Sequence, residues 1–405
     1  MKKLAFLIVC LLSLVACDKD DANQSELREV QVAVPETMPL TDFRAMVNVE
    51  EPAAIEESGK IYTYQNLIFI NDNLKGVHVL DNSNPENPVK KAFIRIPQNT
   101  DVAVKDDLLY ANSGIDLVVF DISDINNIQL QNTIEDVFEA INLPIPAEAD
   151  YADYGNVDFS EEVVVGYSLR TDFIEVQVDI MVNESADFSS GTGGSLARFN
   201  IVKNYLYTVT PNELHIFDIT NPANAVEVNS EYVGWDIETI FSLDNYLYLG
   251  SASGMYIYNI DNATNPTYVS EISHIMGCDP VVVQGDMAYV TIRGGNLCGQ
   301  DLSQLEVVNI SDKTNPFRAS TYEMEEPYGL GIKDNFLFVC DGSFGLKVYD
   351  TTNTPELTLI DHFEEIETFD VIPLEEVLLM VGGNQLSQYK YTESGIELLS
   401  TFNMN

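Results

Sequence analysis

The feature that most limits what this chain can fold into is a unit that returns about every forty residues. Each unit has a strand-like run rich in aromatics, a turn, a second run ending in Asp or Asn, and a polar turn. The first copy is Asn66–Ile70, Gly76–Asp81 and Asn82–Pro85. The second is Asp107–Ala111, Leu117–Asp121 and Ile122–Asp124, and the third is Asn204–Tyr207, Leu214–Asp218 and Ile219–Pro222. Later copies end their second runs at Asn259, Asn309 and Asp350, and a degraded seventh spans Val377–Val381 and Leu386–Lys390. From Asp81 to Lys390 these anchors stand 40, 97, 41, 50, 41 and 40 residues apart. β-Branched and aromatic residues alternate with polar ones and are broken by Gly, Asn, Asp and Pro, which predicts hairpins.

A four-stranded antiparallel unit at this period predicts a propeller blade. One blade cannot cover its own two faces, so neighbours must cover them and the ring must close. The expectation is therefore an all-β, seven-bladed β-propeller of four-stranded antiparallel sheets over residues 43–405. Six blades is the alternative, if the weak last copy only completes the first. A β-sandwich array is the other rival, but sandwich repeats rarely run this short.

The 405 residues hold 64 acidic and 20 basic side chains, a net charge of −44, and are 45% apolar. That apolar share allows a large core and excludes wholesale disorder. The charge excludes nucleic acid as a partner, because phosphate binding needs clustered Lys and Arg. Two insertions interrupt the repeats. Residues 135–190 carry fourteen Asp or Glu against the single basic Arg170. Val163–Leu169 and Phe173–Ile180 within it read as the two strands of a hairpin that extends the second blade, on a solvated acidic excursion. The second insertion is residues 294–304.

The first residues carry an address. Lys2 and Lys3 precede an apolar stretch, Leu4 to Val15, that is too short to stay across a bilayer. Leu14-Val15-Ala16-Cys17 resembles the lipobox of bacterial lipoproteins, in which the Cys is diacylated and becomes the mature N-terminus. The resemblance implies a signal peptide over 1–16 and a palmitate-type anchor on Cys17, which several acyl chains would make stable. Asp18-Lys19-Asp20-Asp21 looks like the surface-export signal of Bacteroidota-type lipoproteins. The address implied is the outer membrane, facing the cell exterior. Residues 17–42 are polar, contain Pro35 and Pro39, and read as a flexible tether.

The repeats themselves resemble the LVIVD-repeat proteins, a bacterial and archaeal family. Leu117-Val118-Val119-Phe120-Asp121 is the closest match, and Asp218-Ile219-Thr220-Asn221-Pro222 is typical of the turn after that strand. The similarity runs over residues 55–402. It implies a propeller at the cell surface or in the envelope, with no settled activity and no catalytic motif to carry over.

The residues support no reaction directly. His78 and His215 hold equivalent strand positions in different blades without a His or Cys at metal spacing. No G-x-S-x-G, P-loop or dinucleotide fingerprint occurs. Gly191-Thr192-Gly193-Gly194-Ser195 has no Lys and reads as a flexible return from the insertion. Trp235, the one tryptophan, reads as packing at a blade edge, with stacking on a sugar as the alternative. No cofactor and no metal site is indicated. The function expected is a surface-displayed binding or scaffold module for a protein or glycan, reached through its lipid-anchored membrane attachment. An envelope enzyme, a polysaccharide lyase or hydrolase, is the alternative.

Two groups of residues carry specific expectations. Cys278 at the start of one blade and Cys298 in a loop of the same blade are expected to form a disulfide, since exported chains meet an oxidising compartment. It would close a loop of about twenty residues, worth ~3 kcal/mol in the chain-entropy model. Cys340 reads as a buried thiol. Aligning the blades places Lys60, Asp101, Arg198, Glu238, Asp279, Tyr328 and Asp370 at equivalent starts of the innermost strands. They are expected to ring one mouth of the central channel and to form the ligand-contact rim. Convergent carboxylates there would favour Ca²⁺, but Lys60 and Arg198 with water are the preferred neutralisers.

Overall fold

The structure, a computed structural model, describes residues 26–141, 143–176, 194–221, 224–273, 280–294, 302–393 and 395–404. Cys17, Asp279 and the expected Cys278–Cys298 pair lie outside them. Among the described residues, seven sheets follow one another along the chain, each an up-and-down meander. Their innermost strands are Ser58–Tyr64, Val102–Lys105, Phe199–Val202, Ile237–Leu243, Val281–Gln284, Leu330–Lys333 and Asp370–Pro373. We number blades 1 to 7 in that order. Blade 1 has a fifth, outer strand, Asn48–Glu50, paired with Val89–Arg95. The last repeat builds a full sheet of its own, Asp370–Pro373 through Gly395–Asn403, so it does not merely complete the first.

Among the described residues the propeller core is divided into seven apolar clusters, one between each pair of neighbouring blades, with an eighth around Leu40, Phe43 and Val163. Phe69, Val79 and Ile94 meet Leu109, Val118 and Phe120 between blades 1 and 2. Leu379, Val381 and Leu386 meet Ile61, Ile68 and Ile70 between blades 7 and 1, which closes the ring. This explains a departure from the alternation expected of the strands. Leu109 and Ala111 face one neighbour while Tyr110 faces the other, so both faces of a middle strand are apolar. Only the outermost strands alternate with solvent, as in Val226–Tyr232.

Among the described residues no strand is shared across the seam between blades 7 and 1. Asn82 and Gln388 instead exchange two side-chain amide hydrogen bonds, 3.0 and 2.8 Å, and both residues are buried. Gln388 and Ser400 also donate to the Pro85 carbonyl, and the Ile55 N–H donates to the Met404 carbonyl.

Where the third strand finishes in blades 1 to 6, the motif Asp or Asn folds the next turn. Asp81, Asp121, Asp218 and Asp350 each accept the backbone N–H two residues on, at 2.8–2.9 Å. Asn259 and Asn309 do the same at 2.9 and 3.0 Å. These are Asx turns, in which a short polar side chain replaces a backbone acceptor. The Ser and Thr bonds hold the carboxyls of Asp81, Asp121, Asp218 and Asp350 below their ordinary range.

Two expectations about the remaining segments are corrected. Glu26–Pro39 is a strand rather than a tether, and Leu40–Arg44 is a helical turn. Alternate Val30 and Val32 are buried, which is what makes this polar-looking segment hold a strand. Glu162–Val176 is one continuous strand rather than a hairpin. With Glu26–Pro39 and Tyr151–Ala152 it makes a separate three-stranded sheet, so the insertion does not extend blade 2. Residues 26–36, 145–157 and 164–176 belong to a compact unit of their own.

Candidate ligand pocket at the channel mouth

The innermost strands of all seven blades line a central cavity of about 630 Å³. Their inward edges have no further strand to pair with, so their backbone donors need other acceptors. At the mouth end the return from the acidic insertion supplies them. Gly194–Leu196 forms one 3₁₀ turn, and Ser195 Oγ accepts the Leu330 N–H at 2.9 Å. The Ala197 carbonyl accepts the Ile240 N–H at 2.7 Å. Ser195, at the end of the stretch expected as a flexible return, and Ala197 thus bridge blades 4 and 6 across the channel.

Asp101 anchors the same segment from blade 2. Its carboxylate accepts the backbone N–H groups of Arg198, Phe199 and Val102, the last two at 2.9 and 2.8 Å. It also holds the Lys60 ammonium from blade 1 at 3.1 Å. Lys60 is 7% exposed and Asp101 3%. Burial pushes the Lys60 amine down to about 8, Asp101 opposes this, and the nearby Arg198 cation adds to it. Taking an ammonium out of water penalises its charged form, and a single carboxylate does not fully restore it.

Six of the seven expected rim residues are described, Asp279 lying outside, and they differ in their surroundings. Lys60, Asp101 and Arg198 come together, and Asp370, fully buried on blade 7, acts on Lys60 through its charge. Glu238 is half-buried at the start of blade 4. Tyr328 lies elsewhere, with the Arg293 guanidinium 4.1 Å over its ring and Phe369 edge-on at 5.2 Å. Among the described residues no group of three or more His, Cys, Asp or Glu is arranged to hold a metal ion.

Beside this cluster, on blades 1 to 3, lies a cavity of about 210 Å³ that sequence reasoning missed. Lys60 and Arg198 line it together with Asn71, Asn112 and Thr100. The amides are fixed before any ligand arrives. Asn71 donates to Asn99 Oδ1 at 2.6 Å, and Asn112 Oδ1 accepts the Thr100 N–H at 3.0 Å. Gly59 is required here, because a Cβ would stand 2.4 Å from Asn71 Oδ1.

Its remaining wall is the first stretch of the acidic insertion. The Val137 and Phe138 N–H groups both donate to the Ile115 carbonyl. Phe138 then packs on Phe199, Phe217 and His215, with ring centroids 5.5–6.1 Å apart. Phe138, Ile141 and Pro144 so face the cavity with Phe199, Val209 and Pro211. The signal for this was Phe138-Glu139-Ala140-Ile141 inside an otherwise acidic run.

Trp235 does not pack inside a blade. It is 68% exposed and meets Tyr232, itself 57% exposed, edge-on at 6.0 Å. The chain passes these residues between the last strand of blade 3 and the first of blade 4. Cys340 is a free, buried thiol, which burial and the charge of Asp370 push upward in pKa.

The geometry can be set beside known proteins. The family model described as "LVIVD repeat" matches residues 98–135 and 193–231, within blades 2 and 3. The chain carries LVIVD repeats. No curated protein sequence matches this LVIVD-repeat chain. Among solved structures it is similar to the computationally designed Ika8 protein, at 10% identity over 87% of this chain and 89% of that one, with a TM-score of 0.54. A protein from Lactobacillus plantarum is similar at 14% identity over 85% and 94%, with a TM-score of 0.54. BamB from Moraxella catarrhalis is similar at 9% identity over 88% and 97%, with a TM-score of 0.50. At such identities the likeness is one of fold, and the LVIVD repeats sit on a propeller scaffold suited to binding or scaffolding.

Proposed function

We propose that this LVIVD-repeat propeller is a recognition module displayed on the cell exterior, held to the outer membrane by lipid on Cys17. The observation that carries the reading is the mouth-end cavity, lined by side chains of three blades and walled by Phe138, Ile141 and Pro144. Concave sites with apolar walls and a few fixed polar groups are where small ligands bind. Trp235 and Tyr232 add an exposed aromatic pair to the same end of blades 3 and 4. Five buried carboxylates of the described residues are already engaged: Asp101 by Lys60, Asp72 by His78, Asp116 by Arg44, Glu306 by Arg318 and Asp341 by Lys347. A paired, hydrogen-bonded carboxylate is a poor general base, which favours binding over the alternative of a polysaccharide lyase or hydrolase. The lipid and surface parts rest on the residues around Cys17 alone.

The test uses the full chain expressed in a bacterium with an outer membrane. Metabolic labelling with an alkynyl fatty acid is expected to mark the wild type and not Cys17→Ser, and protease added to intact cells is expected to remove the propeller. Purified protein incubated with a polysaccharide and glycoprotein panel is expected to retain ligands without turning them over. Release of oligosaccharide products would replace the binding reading by the enzymatic one.

A further inference from the structure

The cavity on blades 1 to 3 has a charge pattern that its walls do not complete. In a chain with 64 acidic and 20 basic side chains, several inward-facing cations find acids, though Arg293 stacks on Tyr328 instead. Arg44 holds Asp116, Glu135 and Asp136, Arg318 holds Glu306, and Lys347 holds Asp341. Arg198 differs. Its backbone N–H binds Asp101, yet no carboxylate of the described residues pairs with its guanidinium, and the residue is half-buried and lines the cavity. The nearest carboxylate, Asp101, is occupied by three backbone N–H groups and Lys60.

We propose that Arg198, with Lys60 behind it, binds the oxyanion of a small organic acid whose carbon body rests on Phe138, Phe199 and Ile141. This rests on the recognition reading and names its ligand class. A guanidinium offers two parallel N–H donors that match carboxylate or phosphate oxygens. The two cations repel each other, and a bound anion relieves that repulsion. The fixed amides of Asn71 and Asn112 and the rigid Phe138 stack leave little to reorganise on binding. The volume of about 210 Å³ suits one sugar acid or one aromatic acid, free or at the end of a longer chain. Glu139, exposed at the rim, sets a limit on the charge that can enter.

Calorimetry on the full mature chain tests this with glucuronate and phenylacetate as carboxylates, glucose 6-phosphate as the phosphate arm, and glucose and phenylethanol as neutral controls. At least one anionic probe is expected to bind at least tenfold more tightly than its neutral control, and to weaken severalfold between 50 and 500 mM NaCl. Arg198→Gln is expected to lose that preference tenfold or more, Arg198→Lys to recover part of it, and Glu139→Gln to tighten binding. Unchanged thermal melting of Arg198→Gln ensures that the loss is local. Anion binding that survives Arg198→Gln, or no anion binding at all, overturns the proposal. Neutral probes that bind as well as the anions and are lost in Phe138→Ala leave the recognition reading standing while overturning the oxyanion assignment.

Discussion

The two ends of the propeller are held by opposite kinds of interaction. Where the third strands finish, Asp81, Asp121, Asp218 and Asp350 bond a backbone group two residues away, and the same small structure recurs from blade to blade. At the mouth, partners are remote in sequence: Lys60 with Asp101, Asp101 with Arg198 and Phe199, Leu330 with Ser195. The first end is a set of copies, each indifferent to the others. The second is a single network in which equivalent positions have diverged to Lys60, Asp101, Arg198 and Asp370. Repetition secures the scaffold, and divergence at one end makes a site.

That contrast can be broken most severely at Asp101. Asp101→Ala strands a buried ammonium and three N–H groups at once, and is expected to cost about 3–5 kcal/mol in denaturant unfolding. A loss below 1 kcal/mol would mean that the mouth network is incidental to the fold. Gln388→Ala comes next, at about 2 kcal/mol, since it leaves the buried Asn82 amide without its partner at the seam. At the repetitive end the effects should be smaller and separable. Asp218→Ala is expected to cost about 1 kcal/mol, and Asp218→Asn close to nothing, because Asn259 and Asn309 already fill that position in blades 4 and 5.

The smallest effect sharpens the comparison by pH. Lys60 has its folded pKa depressed to about 8 from the ordinary 10.5. Between those values the unfolded chain holds the extra proton, so folding grows more favourable as pH rises through that window. Stability of the wild type relative to Lys60→Met is therefore expected to rise from pH 8 to 10.5, in chemical denaturation at matched ionic strength. The Asx carboxyls run the other way along the axis. Their depressed pKa values give stability that is present above the usual carboxylate range and lost in acid, below about pH 4.

The blades were legible because their signals are local. Two-residue hairpin turns, apolar middle strands and the Asx acid all fall within one repeat, so period and composition reveal them without knowledge of neighbours. The mouth was legible only in part. Alignment of the repeats names Lys60, Asp101, Arg198 and Asp370, since register is inherited from the blades. It does not say that Lys60 and Asp101 neutralise each other, because that depends on the angle between blades. Nor does it reveal that Ser195 and Ala197 bridge the channel, for Gly194-Ser195-Leu196 has neither strand alternation nor helical length. Phe138 and Ile141 were hidden within an acidic stretch whose charge dominated its reading. The strand Glu26–Pro39 shows Val at alternate positions 30, 32 and 34, but Pro35, Pro39 and the flanking polarity pointed to a linker.

A seam closed by Asn82, Gln388 and the cluster around Ile68 and Leu386 has a consequence for the chain's ancestry. A ring locked by a strand lent from one terminus to the other ties its two ends together, so that gaining or losing a repeat must also preserve the loan. Here, among the described residues, every junction is built on two complementary apolar faces with a few polar ties, and none lends a strand to the next. Duplication, deletion or circular permutation of a whole repeat would leave every backbone ladder intact, and the ends of the gene are free to fall at any of the seven gaps.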